Sequence, residues 1–227
     1  MFYVAFIMVM IASMAAVGLG VGFGGTSQRG GVTEFTDEIL PEATPFVVTF
    51  AGPSQTIDGT LPHIATIETN LGPIKVELAT DAPDAVNNFA FLAGKGFYNG
   101  TTFFYVDEYF AQAGDPTCNL GEDAVCSGVG GPGYTLPVED SGATHAQWSV
   151  VAPTDRLGDV HGSQFRVLYQ ADGRLDGSET VFGSVTEGRN ILEALESFQP
   201  CSVAESDTCS EDMGAALVIE SIEVRPV

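Results

Sequence analysis

Positive charge is what this chain has least of. Two lysines and six arginines stand against 30 Asp/Glu in 227 residues, for a formal net charge of −22. A nucleic-acid backbone needs a cationic footprint, so no nucleic-acid partner is expected. A peripheral polybasic contact with anionic lipid is excluded for the same reason. Three histidines and four cysteines, none in Cys-x-x-Cys spacing, make a poor zinc site. Neither a metal nor a cofactor is expected. The acidity is not that of a disordered tail, because 44% of residues are hydrophobic and only 17% are charged. A body of roughly 150 to 200 residues can bury about 70% of its unfolded surface in a single core.

Charge of either sign is missing altogether from Met1 to Gln28, and the first ionisable side chain is Arg29. The apolar run Phe2 to Phe23 is 22 residues long, about 33 Å as a helix and enough to cross a bilayer. A secretory signal would carry a cationic n-region and a shorter apolar core. The run therefore reads as an uncleaved anchor in preference to a cleaved signal, although small residues such as Ala15 and Ala16 leave cleavage open. Gly18/Gly22 and Gly20/Gly24 set two G-x-x-x-G patterns, which either admit another helix or simply lead into a linker. The expected organisation is a transmembrane anchor over residues 1–25, an acidic Gly/Pro-rich linker over 26–62 with one short strand at Phe46 to Phe50, and a folded domain over 63–227.

The four cysteines form two pairs, Cys118 with Cys126 and Cys201 with Cys209, at the same eight-residue separation. Two local disulfides are the simpler account, and four reduced buried thiols the weaker one. Each bridge would close a short acidic loop, worth about 2.5 kcal/mol on the chain-entropy model. Such bridges imply an oxidising compartment. With the anchor, they predict a single-pass protein whose N-terminus is cytoplasmic and whose domain lies in the periplasm or extracellular space.

From Ile64 the pattern becomes that of a folded domain. Ile64 to Thr69 and Pro73 to Leu78 alternate as two strands joined by a turn at Gly72. Asp81 to Gly94 opens on acidic residues and proline, repeats apolar residues at helical spacing (Val86, Phe89, Leu92, Ala93) and ends on glycine, all helix signals. Thr101 to Val106, Trp148 to Ala152, Phe165 to Tyr169, Val181 to Val185 and Ala216 to Val224 read as strands, and Glu187 to Phe198 as a second helix. Many strands with two helices predict a mainly β fold, a closed eight-stranded antiparallel barrel capped by two helices.

Six segments then carry a resemblance. They are Val86-Asn-Asn-Phe89, Gly96 to Phe103, Gln112-Ala-Gly-Asp-Pro-Thr117, Gly130-Gly-Pro-Gly-Tyr134, Gly162-Ser-Gln-Phe165, and Leu175-Asp-Gly177 with Thr180-Val-Phe-Gly183. In this order, over roughly residues 63 to 224, the chain resembles a cyclophilin, the barrel family of peptidyl-prolyl isomerases. The resemblance implies a groove on the outer face that holds an X-Pro peptide. It also implies an arginine donor supported by a glutamine, an apolar proline pocket, and a tryptophan and a histidine at the rim.

Residue by residue, the family's arginine position is Tyr105, followed by a one-residue deletion, and the supporting glutamine is retained as Gln112. Peptide-groove positions correspond to Tyr109, Phe110 and Gln164. Arg166 stands where the family has a pocket phenylalanine, Arg174 where it has the rim tryptophan, and Glu179 where it has the histidine; Leu175 is kept. Thr154 and Asp155 are suspected peptide contacts. A tyrosine offers one donor and no charge in place of a guanidinium fork, a loss that commonly costs about 10²–10³ in rate. Arg166 or Arg174 is expected to pair with Glu179, Asp107 or Glu108 and partly fill the groove. Gly128 to Gly133 lacks the lysine and helix of a phosphate cradle. His145, His161 and Asp159 read as structural or surface residues, and Ser163 is in no nucleophile elbow.

Two functions stay open. One is an accessory or scaffolding subunit of an integral membrane complex, bound through residues 1–25 and the barrel surface, with weak or absent isomerase activity. The other is an active peptidyl-prolyl isomerase assisting the folding of exported proteins, with X-Pro peptides as ligands.

Overall fold

The computed structural model describes residues 48–119, 126–155, 157–196 and 217–227. The expected transmembrane segment lies outside these residues. Among the described residues no helix is long and apolar enough to cross a membrane.

The hairpin forms where the alternation places it. Strand β1 (His63–Thr69) pairs with β2 (Gly72–Leu78), with Ile67 opposite Ile74 and Ala65 opposite Val76. These four side chains are essentially inaccessible to solvent, while Glu68 and Pro73 face outward. The first helix, α1 (Pro83–Gly94), has no side-chain cap of its own. Glu139, 54 residues beyond Ala85, supplies one in trans: its Oε1 accepts from the Asp84 N–H and its Oε2 from the Ala85 N–H, at 3.1 and 2.7 Å. A carboxylate at that end also complements the helix dipole. Val86, Phe89 and Leu92 face the core, where the Phe89 ring lies 5.4 to 5.7 Å from those of Tyr98, Phe165 and Phe182.

The remaining elements are β3 (Tyr105–Val106), β4 (Phe110–Ala113), β5 (Thr135–Leu136), β6 (Ser149–Ala152), β7 (Val160–His161), β8 (Phe165–Leu168), a 3₁₀ turn (Gly173–Leu175), β9 (Thr180–Glu187), α2 (Arg189–Glu196) and β10 (Ile219–Pro226). Eight of the strands form one curled antiparallel sheet in the order β10-β1-β2-β9-β6-β8-β4-β3, and β5 with β7 makes a small ribbon. The expectation of a closed barrel is corrected: among the described residues no ladder joins β3 to β10. Thr101 to Phe103, expected as part of a strand, leave the ladder ahead of a two-residue β3, while the Phe104 N–H still donates to Gln112 O on β4 at 3.0 Å. They are stitched to the start of β10 instead, through a Thr102–Val218 bridge, Phe103 N–H to Leu217 O (3.0 Å) and Ile219 N–H to Thr101 O (2.8 Å). Val218 and Ile219 are where β10 begins its pairing with β1, so only this short stretch meets the other edge.

Residues 48–50, the described part of the strand expected at Phe46 to Phe50, are not a strand. They dock as irregular chain: the Phe50 N–H donates to Pro132 O at 2.8 Å, and its ring stands edge-on to Phe91. Asn87 on α1 fixes the following turn, its Oδ1 accepting from the N–H groups of Thr56 and Ile57 and its Nδ2 donating to Ser54 O.

Of the two disulfides expected from the spacing, one is present among the described residues, the bridge between Cys118 and Cys126. The other expected bridge, between Cys201 and Cys209, is not among the structure's disulfides: Cys201 and Cys209 both lie outside the described residues, and their pairing stays an expectation from the sequence.

Candidate functional site

Cross-strand register assembles the site. Tyr105 on β3 lies opposite Gln112 on β4, Gln112 opposite Arg166 on β8, and Arg166 opposite Val151 on β6. Directly opposed residues share a face of the sheet. One row therefore carries all four side chains on the side away from the main core. Phe110 and Leu168, two residues along their strands, stand on the same face. Val151, Leu168 and Val181 form a second buried apolar cluster there, against which Phe110 and Ala143 pack.

Arg166 sits at the centre of this face. Its Nε donates to Gln112 Oε1 and its Nη1 to Glu179 Oε1, each at 2.9 Å, and its guanidinium lies 4.5 Å from the centre of the Phe110 ring. The Arg166 side chain is 21% exposed and that of Glu179 6%. The pair is thus largely dry, where electrostatic interactions are strong and a missing partner is costly. Glu179 Oε2 is buried without a hydrogen-bond partner. The expected pairing of Arg166 or Arg174 with one of Glu179, Asp107 and Glu108 is met by Arg166 with Glu179.

The glutamines are locked in sequence. Gln112 Nε2 donates to Gln164 Oε1 at 2.6 Å, and Gln164 Nε2 donates to the carbonyls of Gly130 (2.9 Å) and Gly128 (3.3 Å). Backbone carbonyls thereby fix which end of each amide faces which way, and Gln112 must present its oxygen to Arg166. The Gly128 to Gly133 loop thus turns carbonyls, not N–H groups, toward the site. It is anchored by the fully buried Asp115, which accepts from the Gly130 N–H, the Thr117 N–H and hydroxyl, and the Ser127 hydroxyl. A Cβ at Gly130 would collide with that carboxylate, and one at Gly114 (φ +93°) with the Ser163 carbonyl.

Tyr105 does not take the arginine's role by geometry. Its hydroxyl donates to Asp107 Oδ2 at 3.1 Å, and its ring stacks on Phe110 at 5.4 Å. Burial, and then the Asp107 carboxylate, raise the phenol above its ordinary range. Asp107 Oδ1 accepts from the Tyr109 and Phe110 N–H groups, which makes the shortened 107–110 turn a closed unit. Tyr109 is 45% exposed on that turn, and its phenol is raised by the neighbouring Glu108. Arg174, the other arginine offered for this pairing, finds a different partner. It makes a fork to Asp172 (Nε to Oδ1 2.7 Å, Nη2 to Oδ2 2.6 Å) with its side chain 82% exposed, so it reaches none of the three carboxylates proposed for it. That fork pulls Asp172 down to about 2. Leu175 is half-buried beside it on the 3₁₀ turn.

The rim turn is tied from beneath by His145, which is 1% exposed. Asp176 Oδ1 accepts its backbone N–H at 2.8 Å and lies 2.9 Å from its Nδ1. The Asp176 carboxyl is lowered by these bonds. Asp155 shapes the 155–159 loop by accepting from the Leu157 and Asp159 N–H groups, and Thr154 bridges Val160. Among the described residues no cluster of His, Cys, Asp and Glu is arranged to hold a metal ion. What the residue-by-residue reading missed was the Asp107 turn and the Val151/Leu168/Val181 patch. The patch is visible in sequence only once the strand register is known.

Comparison with known proteins bears on the family and the fold. The family model described as cyclophilin type peptidyl-prolyl cis-trans isomerase/CLD matches residues 64–224. A peptidyl-prolyl cis-trans isomerase of Helicobacter pylori is 40% identical over 138 residues, covering 58% of this chain and 79% of that protein. Peptidyl-prolyl cis-trans isomerase B of Bacillus subtilis is 39% identical over 124 residues, covering 54% and 82%. Among solved structures, a cyclophilin type peptidyl-prolyl cis-trans isomerase of Cryptosporidium parvum superposes with a TM-score of 0.58 at 24% identity, over 73% of this chain and 99% of that one. Its structure in the presence of the dipeptide Ala-Pro gives 0.57 at 25% identity, over 72% and 99%.

Proposed function

Because the chain belongs to the cyclophilin-type peptidyl-prolyl cis-trans isomerase family, we propose that it is a membrane-anchored, extracytoplasmic member that engages X-Pro peptides and isomerises them slowly. Its main role in this reading is as an accessory or scaffolding subunit of a membrane protein complex. The observation that supports the slow rate is the Arg166–Glu179 pair, a largely buried guanidinium at the position where the resemblance expects an apolar residue of the proline pocket. The engagement of the Tyr105 hydroxyl by Asp107 adds to it. Lost preorganised stabilisation of this kind lowers rates by about 10²–10³. The test is the rate of cis–trans conversion of an X-Pro peptide by the full-length protein. A rate equal to that of ordinary cyclophilins sinks the slow-isomerase reading.

That outcome would favour the second reading, a fully active isomerase assisting the folding of exported proteins, which the isomerase names of the relatives and the retained Gln112 support. The anchor is supported by the uncharged run Phe2 to Phe23 and the exported location by the Cys118–Cys126 bridge. Mass spectrometry of the mature N-terminus tests the first, and co-purification of stoichiometric partners from membranes tests the scaffold. Recovery of a lone species from membranes counts against a subunit role.

A further inference from the structure

We infer that the sheet carries a second binding site, a groove over β2 and β9 that takes a basic and apolar segment of a partner protein. The inference deepens the accessory-subunit reading above, on which the existence of the partner rests, by naming the surface and the chemistry it selects.

The groove measures about 590 Å³, within the range of ligand sites, and lies where the end of β2, residues 143–149 and β9 meet. It adjoins the Arg166 face at Val181 and Ala143, yet none of Gln112, Gln164, Arg166 and Glu179 lines it. Its apolar lining is open: Pro62 and Ala146 are exposed, and Ala79 and Ala143 half-buried, over a floor of Leu78 and Val181. Register supplies the polar part. Ser149 lies opposite Ser184, and Ser184 opposite Glu77, so two hydroxyls and a carboxylate cross three strands in one row, about 5 Å apart. Asp81, just beyond the end of β2, adds a second carboxylate.

These groups are uncommitted. Ser149 is 5% exposed, and a hydroxyl so buried ordinarily has a partner. The other buried serine and threonine hydroxyls do: those of Thr69, Thr101, Thr102, Ser163 and Thr180 each bond to the backbone. The Ser149 hydroxyl bonds to no protein group among the described residues. The Glu77 and Asp81 carboxylates are exposed and have neither an ion pair nor a hydrogen bond there, and no lysine, arginine or histidine lines the groove among the described residues. A ligand that fits brings a cation for the two carboxylates, a polar group for Ser149 and an aliphatic side chain for the proline and alanine walls.

This chain is a poor source of such a segment. Its net charge is −22, and Lys75, Arg166, Arg174 and Arg225 are already ion-paired. Residues 1–47 hold one cation, Arg29, and residues 197–216 none. Charge complementarity therefore selects a different protein over a second copy or the chain's own ends.

The full-length protein in detergent, in about 0.15 M salt, is titrated into fluorescein-labelled Leu-Arg-Leu-Arg-Leu-Arg-amide and followed by fluorescence anisotropy. Glu77→Gln/Asp81→Asn should weaken binding about tenfold and Ser149→Ala about threefold. Glu193→Gln/Glu220→Gln, which removes the same charge from exposed positions elsewhere, should change it by less than about twofold. Thermal melting followed by circular dichroism confirms that each variant folds. Equal losses in the two double variants overturn the inference, because the attraction is then to the diffuse charge of the chain. So does equally tight binding of a probe with serine in place of every leucine, or glutamate in place of every arginine. A wild-type dimer that Glu77→Gln/Asp81→Asn dissolves assigns the groove to a second copy and overturns it too. Co-purification from membranes separates the inference from the reading beneath it. Loss of a stoichiometric partner from the groove variant supports both. A partner retained by that variant overturns the inference and leaves the subunit reading standing. A lone wild-type species that still binds the leucine probe at the groove removes the subunit reading and supports the groove.

Discussion

Replacing Arg166 and Glu179 one at a time, and then together, measures how firmly the groove is filled. In Glu179→Leu the guanidinium keeps Gln112 and Phe110 but loses its ionic partner. As its side chain is 21% exposed, solvent recovers part of the loss, and the cost is about 2 kcal/mol, below the range for fully buried pairs. In Arg166→Met the stranded carboxylate is 6% exposed and already has one unpartnered oxygen, so the cost is larger, about 3 kcal/mol. The double variant places two apolar side chains beside the Val151/Leu168/Val181 cluster and Phe110. It should stand about 2 kcal/mol or less below wild type, since a well-packed apolar pair replaces a buried ion pair at little cost. The coupling energy is then about 3 kcal/mol, at the upper end for residues in contact. Urea unfolding at pH 7, with salt held constant, gives each value from the midpoint at unchanged m. Additivity of the two single variants to within about 0.5 kcal/mol would refute the reasoning, because it would mean that the two side chains do not depend on each other in solution.

Glu139→Ala removes both acceptors at the start of α1 and should destabilise the domain by about 1 kcal/mol, or about 2–4 °C in Tm for a domain of this size; an unchanged Tm contradicts the trans-cap. Asn87→Ala frees the turn at residues 54–57, so the Thr56 and Ile57 amides should lose hydrogen-exchange protection while β1 and β2 amides keep theirs; retained protection removes Asn87 from that role. The Asp172 carboxyl, held at about 2 by Arg174, is depressed on folding. Its contribution is therefore complete above the unfolded value near 3.8 and fades as pH falls toward about 2. Asp172→Asn should flatten the Tm-against-pH curve in that acid window, and an identical slope for the variant counts against the fork.

Much of this arrangement was legible in the amino-acid order. Alternation placed Ala65, Ile67, Ile74 and Val76 in the core, and helical spacing did the same for Val86, Phe89 and Leu92. The elements that escaped were those too short to show a period. The strands Thr135–Leu136 and Val160–His161 have two residues each and Phe110–Ala113 has four, and all three are defined by their partners. The closed barrel failed for a related reason. Composition and spacing say how many strands there are, whereas closure depends on whether two edges run side by side for more than the few residues around Thr102 and Val218. Asp107 was named as a partner for an arginine, yet the deletion beside it turned its carboxylate onto the N–H groups of Tyr109 and Phe110.

The two arginines at groove positions show why residue identity alone could not assign their roles. The resemblance implies aromatic residues of the family at both positions, and both have carboxylates within reach. Arg174 follows Asp172 on a 3₁₀ turn, and so local geometry satisfies it before the groove can. Arg166 has no acidic residue on its own strand. Its partners come from across the ladder: Gln112, directly opposite, and Glu179, just ahead of the strand that pairs with β6. Cross-strand register, which places these side chains on one face, decides that the same residue type is a solvent-facing ion pair at 174 and the centre of the site at 166. A chain with so few cations has put one of them at the centre of this face, held by a glutamine from β4 and by a carboxylate just ahead of β9.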